Sequence, residues 1–199
     1  MKSRDQDLRQ KIIEAAKDLL NEGIDIGTIT VRQIAERAGV GIGLINYHFK
    51  SKDNLLSIAI GDIMEQTIVK YIDDKTISHI EPDVRLKMLL KELCSSAGTD
   101  EKLVRFMLLR EITEGDMRAP LYLVPILREM LGERMNDVQL RIIALQILQP
   151  IQLSGLNPAA FHLYSGIDIT NADQRDIFID TLIDNLITTT HNGVVSTGI

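Results

Sequence analysis

The sequence predicts an all-helical fold, and three observations predict it. Apolar residues recur at spacings of three and four through about nine segments. Glycines and capping residues stand where those segments would begin and end. No stretch alternates apolar and polar residues as a half-buried strand does. With 199 residues, 45% of them hydrophobic and 25% charged, the chain is globular in composition and long enough for one domain of ordinary size or two small ones. Four Phe, four Tyr and no Trp leave aliphatic side chains to fill the core.

Leu8, Ile12, Ala15, Ala16, Leu19 and Leu20 mark one face of a first helix over about 5–21, with Gly23 at the position of a left-handed cap. Thr30-Val31-Arg32-Gln33 fits a capping box, so a second helix begins at Val31 and buries the stripe Val31, Ile34, Ala35 and Ala38. Gly39 supplies the backbone freedom for a sharp turn. A short helix follows in which Ile42, Ile45 and Phe49 share one face. Ser51 caps a longer helix from Lys52 to about Asp74, with Leu55, Leu56, Ile58, Ala59, Ile63, Met64, Ile68 and Tyr71 as its apolar positions. Residues 75–83 read as a connection. Helices are expected at about 84–97, 100–115 and 119–131, ended by Gly98, Gly115 and Gly132, with Pro120 near the start of the third. Two longer ones, about 136–153 and 172–190, are separated by a loop-like region containing Gly155, Asn157-Pro158 and Gly166.

Charge and cysteine usage exclude several classes. Twenty-two Lys+Arg against 28 Asp+Glu give a net charge of −6, which argues against nucleic acid being held over the whole surface. The imbalance has an address: residues 1–55 hold nine Lys+Arg and eight Asp+Glu, and residues 56–199 hold thirteen and twenty. Lys2, Arg4, Arg32, Lys50 and Lys52 are thus free to form a local basic edge. The single cysteine, Cys94, has no internal disulfide partner, and the polar start MKSRDQDLRQ has no apolar stretch behind it, so a cytoplasmic location is expected. No run of eighteen apolar residues suggests a membrane helix.

The four histidines, His48, His79, His162 and His191, form no ligand pair at helical spacing, so neither a metal nor a cofactor is expected. No local signature of a nucleophile and base is present, and an enzyme is not expected. Gly39-Val40-Gly41-Ile42-Gly43 lacks the full dinucleotide-binding pattern and follows a helix instead of a strand. Cys94 lies on an apolar face with Leu90 and Leu93, which reads as packing.

Residues 28–56, TITVRQIAERAGVGIGLINYHFKSKDNLL, are the most informative. A capped helix, a tight glycine turn and a short second helix match the helix-turn-helix, whose second helix is presented to the major groove. With Ile45 and Phe49 facing inward, Gly41, Gly43, Leu44, Asn46, Tyr47 and His48 face outward or sideways. Asn46 suits an adenine edge, Leu44 a thymine methyl, Tyr47 and His48 phosphate oxygens, and Gly43 a close approach of backbone to DNA.

On Thr30 and Arg32, Ile34-Ala35, Ala38-Gly39-Val40, Tyr47-His48-Phe49 and Lys50-Ser51-Lys52 followed by Leu55-Leu56, residues 8–60 resemble the DNA-binding region of the TetR family of transcriptional regulators. The resemblance implies phosphate contacts from Thr30, Tyr47, His48 and Lys52, and base or groove contacts from Arg32, Leu44 and Asn46. The chain departs from the family at Gly41-Ile42, Leu44 and Asn46, where many members carry a Ser followed by a basic residue, a Thr and a Tyr. The operator sequence therefore does not transfer.

The resemblance also implies a DNA-binding domain over 1–54 and a helical ligand-binding and dimerisation domain over 55–199. The product would be a repressor that binds a near-palindromic double-stranded DNA operator as a homodimer and is released by a small-molecule effector. The expected effector site lies among the helices at 84–131, with Met88, Phe106, Met107, Arg110, Glu111, Tyr122 and Met130 as candidate lining. The expected dimer interface joins the last two long helices through Leu140, Ile143, Ala144, Ile147 and Ile151 and through Ile179, Leu182, Ile183, Leu186 and Ile187. The alternative for those faces is closure of the chain's own core. The competing readings of the whole chain are a small-molecule carrier or enzyme that retains a helix-turn-helix, and a helical adaptor that binds protein.

Overall fold

The computed structural model describes residues 2–73, 77–97, 100–115, 117–132 and 135–192. Among the described residues the regular structure is helical and includes no strand. The order is α1 (Lys2–Asn21), a 3-10 turn (Ile26–Thr28), α2 (Val31–Ala38), α3 (Ile42–Phe49), α4 (Lys52–Asp73), α5 (Pro82–Ser96) and α6 (Glu101–Glu114). Then come α7 (Arg118–Leu121), α8 (Val124–Leu131), α9 (Asp137–Leu156), α10 (Pro158–Ser165) and α11 (Ala172–Asn192). Two compact units result: Met1–Gln66 with Ser96–Met107, and Thr67–Ser95 with Leu108–Ile199.

The first unit is built around the aliphatic stripe of α1. Ile12, Ala15, Ala16 and Leu19 pack with Ile34, Ala35 and Ala38 of α2, Ile45 and Phe49 of α3, and Leu55, Leu56, Ala59 and Ile60 of α4. Phe49 and Ile34 are fully buried, and each large side chain removed from water contributes about 1.5–3 kcal/mol. Ala15 and Ala16 on α1 and Ala35 and Ala38 on α2 let the two helices approach closely. Gly39 ends α2 at φ +62, ψ +40, and its N–H donates to the carbonyls of Ala35 and Glu36. That left-handed backbone makes the turn into α3, as the sequence predicts.

The second unit has its own core. Ile68 and Tyr71 from the end of α4 meet Leu86, Leu89 and Leu90 of α5, Ile126, Leu127 and Leu131 of α8, Leu140, Ile143, Ala144 and Ile147 of α9, and Ile179 and Ile183 of α11. Charged groups close its outside: Lys91 of α5 pairs with Asp180 of α11 at 2.8 Å, and Lys87 pairs with Asp184. Tyr71 donates its hydroxyl to Glu92 at 2.7 Å; burial first, and the Glu92 carboxylate second, push its phenol up to about 12.

Four features differ from the sequence expectation. The expected helix at 119–131 is divided: α7 ends at Leu121, and α8 begins at Val124 with Pro125 in its first turn, where a missing N–H costs no helical bond. The expected loop after Gly155 holds α10. Asn157 accepts from the Ala160 N–H, Pro158 opens the helix and Gly166 at φ +76 closes it, so three of the four residues read as loop formers are its start and stop signals, while Gly155 lies in α9. The expected boundary at residue 54 falls inside a unit that continues to Gln66, because Leu55, Leu56, Ala59 and Ile60 belong to the first core. Ile42 lies 45% exposed instead of joining Ile45 and Phe49, because it is the first residue of α3 and extends past the helices that cover the other two.

The local turn chemistry is testable. Gly39→Ala is expected to cost about 1–2 kcal/mol in urea unfolding, since a Cβ at this φ is strained although nothing but the end of Lys11 lies near it. Thr30→Ala is expected to cost about 1 kcal/mol through the lost cap.

Candidate nucleic-acid interface

The candidate surface is carried by α2, α3 and the start of α4, all in the first unit. Thr30 is occupied with capping: its Oγ1 accepts from the Gln33 N–H at 3.2 Å, and Gln33 Oε1 accepts from the Thr30 N–H at 2.8 Å. Lys52 Nζ donates to the Ile29 carbonyl at 2.9 Å and so ties the start of α4 to the residue before that cap. Arg32, in the first turn of α2, extends into solvent and pairs with Glu36 at 2.9 Å.

On α3, the buried Ile45 and Phe49 set the roll of the helix about its axis, and Gly43, Leu44, Asn46 and Tyr47 occupy the exposed arc opposite. These four expected contact residues therefore share one surface. A Cβ at Gly41 or Gly43 would meet no atom within 4 Å, so both glycines leave open space on the side from which DNA would approach.

His48 is different. Expected to reach a phosphate, it is buried instead, with its side chain only 6% exposed. The ring meets Tyr47 edge-on at 5.1 Å and lies 6.1 Å from Phe49, and Nε2 stands 3.6 Å from Asp5 Oδ1 of α1 with no hydrogen-bond partner among the described residues. At 100° per residue, His48 falls on the flank of α3 next to Ile45, and the first helix covers that flank. Its side chain packs beside α1 and off the exposed arc of α3.

The link from α3 to α4 is strained. Lys50 has φ +67 and ψ −40, the one positive φ outside glycine among the described residues, and the Ser51 N–H donates across it to the Phe49 carbonyl at 2.7 Å. Such a three-residue turn costs roughly 1–3 kcal/mol. Asn54 holds it, donating from Nδ2 to the same Phe49 carbonyl at 2.9 Å and from its backbone N–H to Ser51 Oγ at 3.1 Å. The turn carries Lys50 Nζ to 5.6 Å from the centre of the Tyr47 ring.

Three other cations of the unit have partners within it. Arg37 grips Glu22 with two hydrogen bonds of 2.7 and 3.1 Å, which hold that carboxyl below its ordinary range. Lys17 is buried beside Glu14 at 3.1 Å, and Arg9 lies 5.3 Å from the Phe49 ring centre. The side chains of Lys2 and Arg4, expected to share the basic edge, lie outside the described residues.

The expected effector residues do not form one set. Phe106 and Met107 pack against the first core, while Tyr122 and Met130 pack against the second. Met88 is exposed on α5, and Arg110 and Glu111 are half-buried on α6. Sequence reasoning missed Arg85, whose side chain is 3% exposed, pairs with Glu129 of α8 and leaves Nε without a partner among the described residues. The available signal was its place beside Leu86, Leu89 and Leu90 on the apolar stripe of α5. Cys94 is packed as expected, and burial pushes its thiol up to about 11.

The expected dimer residues are also placed by burial. Leu140, Ile143, Ala144, Ile147, Ile179 and Ile183 lie inside the chain's own second core, and Ile151, Leu186 and Ile187 pack against it; Leu182 is half-buried. The six core residues have almost no area left for a second copy to cover. The alternative reading of those faces holds for them: they close the monomer.

Residues 12–57 match the family described as bacterial regulatory proteins, tetR family. The chain is 41% identical over 58 residues to the HTH-type transcriptional regulator BetI of Klebsiella pneumoniae (strain 342), a stretch covering 29% of each chain. It is 40% identical over 58 residues to BetI of Cronobacter sakazakii, covering 29% of this chain and 28% of that one. The correspondence thus takes in under a third of these relatives. Over nearly the whole length, the fold is similar to Thermus thermophilus FadR, a TetR-family transcriptional repressor in complex with lauroyl-CoA (TM-score 0.58, 18% identity, 96% of this chain and 97% of that one). It is also similar to a TetR transcriptional regulator from Rhodococcus sp. RHA1 (TM-score 0.56, 18% identity, 91% and 96%).

Replacing Lys50 with Gly is expected to raise stability by about 1 kcal/mol in urea unfolding, because glycine adopts the turn's backbone without strain. Cys94 is expected to react with a disulfide reagent at pH 8 at least about tenfold more slowly in the folded protein than in urea, since a thiol this basic holds little thiolate.

Proposed function

We propose that the chain, whose residues 12–57 match the tetR family of bacterial regulatory proteins, is a one-component transcriptional regulator. It binds a near-palindromic operator as a homodimer, represses by occupying it, and is released by a small-molecule effector. The observation that carries the reading is the arc Gly43, Leu44, Asn46 and Tyr47 on α3, exposed while Ile45 and Phe49 are buried. A helix of this length so presented suits the major groove, where Asn46 meets adenine, Tyr47 a phosphate and Leu44 a thymine methyl. Arg32, Thr30 and Lys52 flank it.

Homodimerisation is supported by a surface other than the expected core faces. On α9 the exposed stripe Val138, Ile142, Gln146, Gln149 and Leu153 carries no charge, and on α11 neither does Ile177, Thr181, Asn185 and Thr188. The acidic residues Asp176, Asp180 and Asp184 of α11 are instead drawn to lysines of α5. Apolar and amide side chains without charge are the composition of an interface core. Two copies joined by a two-fold axis would present two α3 helices to half-sites about one helical turn apart.

The effector belongs to the second unit. FadR, similar in fold, carries lauroyl-CoA, which supports a ligand-responsive helical domain without naming the ligand here. Met88, Arg110, Glu111, Tyr122 and Met130 remain the candidate lining. The effector acts through unequal affinity for a DNA-competent and a DNA-incompetent arrangement of the dimer.

In a fluorescence anisotropy titration with duplex DNA from upstream of its own gene, the protein is expected to bind, and Asn46→Ala with Tyr47→Ala to weaken binding at least about tenfold. At two or three phosphate contacts per protomer, log K is expected to fall against log salt with a slope of only about −4 to −5. A carrier, an enzyme or an adaptor would show no DNA affinity to lose. In sedimentation, Ile142→Glu with Leu153→Glu is expected to give a folded monomer. Ile147→Ala is expected instead to cost about 2–4 kcal/mol of stability while the dimer persists.

A further inference from the structure

We infer that α3 selects A·T base pairs, reading thymine methyls by apolar contact with Ile42 and Leu44 and using Asn46 as its one hydrogen-bonding base reader. The inference rests on the regulator reading and adds the class of DNA sequence the site takes. Its basis is the inventory of α3, IGLINYHF, which offers no Arg, Lys, Gln, Glu or Asp. Guanine is most often recognised by an Arg or Lys fork on O6 and N7, and cytosine by a carboxylate on N4. Neither group is available on this helix.

Among the described residues, the other groups near α3 that suit guanine stand off its exposed arc or are turned from it. His48, the one titratable imidazole on α3, is turned inward with its Nε2 towards Asp5. Arg32 stands on α2 with its Nε held by Glu36. Lys50 comes after the helix, on the strained turn, with its ammonium over the Tyr47 ring. What α3 does present is apolar: Ile42 is 45% exposed, Leu44 39% and Tyr47 66%. Ile42 and Leu44 are at or near the N-terminal end of the helix, the end that meets base edges in this motif. The glycines at 41 and 43 add no atom that would hold Ile42 and Leu44 away from the groove floor.

Apolar side chains left in water at a reading surface gain by covering another apolar group, and the thymine C5 methyl is the apolar group the major groove offers. Asn46 complements them, because its amide matches adenine N6 and N7 at once. The operator half-site under α3 is therefore defined by the presence of methyls and by one adenine, with guanine contributing no direct contact from this helix.

The test uses the full-length protein. Duplexes are selected from a randomised pool, and the enriched site is then remade with deoxyuridine in place of each thymine in turn, which deletes one methyl and preserves pairing. Binding is expected to weaken about fourfold per contacted methyl. Replacing the contacted T·A pair with C·G should weaken it further, and 5-methylcytosine in that C·G pair should restore part of the loss. Leu44→Ala, whose wild-type side chain is exposed and supports no core, should bind less tightly and become indifferent to uracil at its own position. Asn46→Ala should lose discrimination at one adenine. An enriched site with conserved guanines under α3, at which uracil substitution changes nothing, overturns the inference and leaves the regulator reading intact. Enrichment of no duplex at all sinks the regulator reading, and this inference with it.

Discussion

The burial of Ile45 and Phe49 is the contact on which the candidate surface depends. A helix of eight residues makes few internal hydrogen bonds and holds its form in water only through tertiary contacts. With two side chains one turn apart locked among α1, α2 and α4, the helix has a single roll angle, and that angle decides that Leu44, Asn46 and Tyr47 face outward. His48 adds a second constraint on the same roll by lodging its ring beside Phe49 and its Nε2 near Asp5. The turn at Lys50 carries strain that Asn54 and the core together sustain, which is the usual circumstance in which strained backbone persists near a functional surface.

Charge is arranged to the same end. The first unit is nearly neutral, and four of its cations are committed to partners in the fold: Arg37 to Glu22, Lys17 to Glu14, Arg32 to Glu36 and Lys52 to the Ile29 carbonyl. Cations held in this way gain less from the sequence-independent attraction of phosphates. In the proposed regulator, discrimination by base contacts and by two-fold multiplicity then carries a larger share of specific binding. In that reading the acidic second unit works in the same direction by discouraging contact with DNA elsewhere on the chain.

The second unit shows where sequence periodicity ends as a guide. The stripes of α9 and α11 identified the apolar faces correctly as faces, yet an apolar stripe has no label saying whether its own chain or another copy will cover it. Three-dimensional packing gave that stripe to the monomer core. The surface that remains is composed of Val138, Ile142, Leu153 and Ile177 with amides and hydroxyls between them, a mixture whose weak periodicity made it hard to notice. Arg85 was hidden for a related reason: a charge beside a leucine stripe reads as solvated until burial is known.

Sequence by itself determined the helical class, the capping box at Thr30, the glycine turn at Gly39 and the helix-turn-helix with its inward Ile45 and Phe49. These depend on interactions within a few residues of one another, and the family resemblance rested on the same stretch. Tertiary structure alone decided that His48 points in, that Ile42 points out, that Phe106 and Met107 serve the first core, and that Leu140 and Ile143 close the monomer. Each of those outcomes turns on which distant segment covers a given side chain, and coverage is set by contacts between residues far apart in the chain.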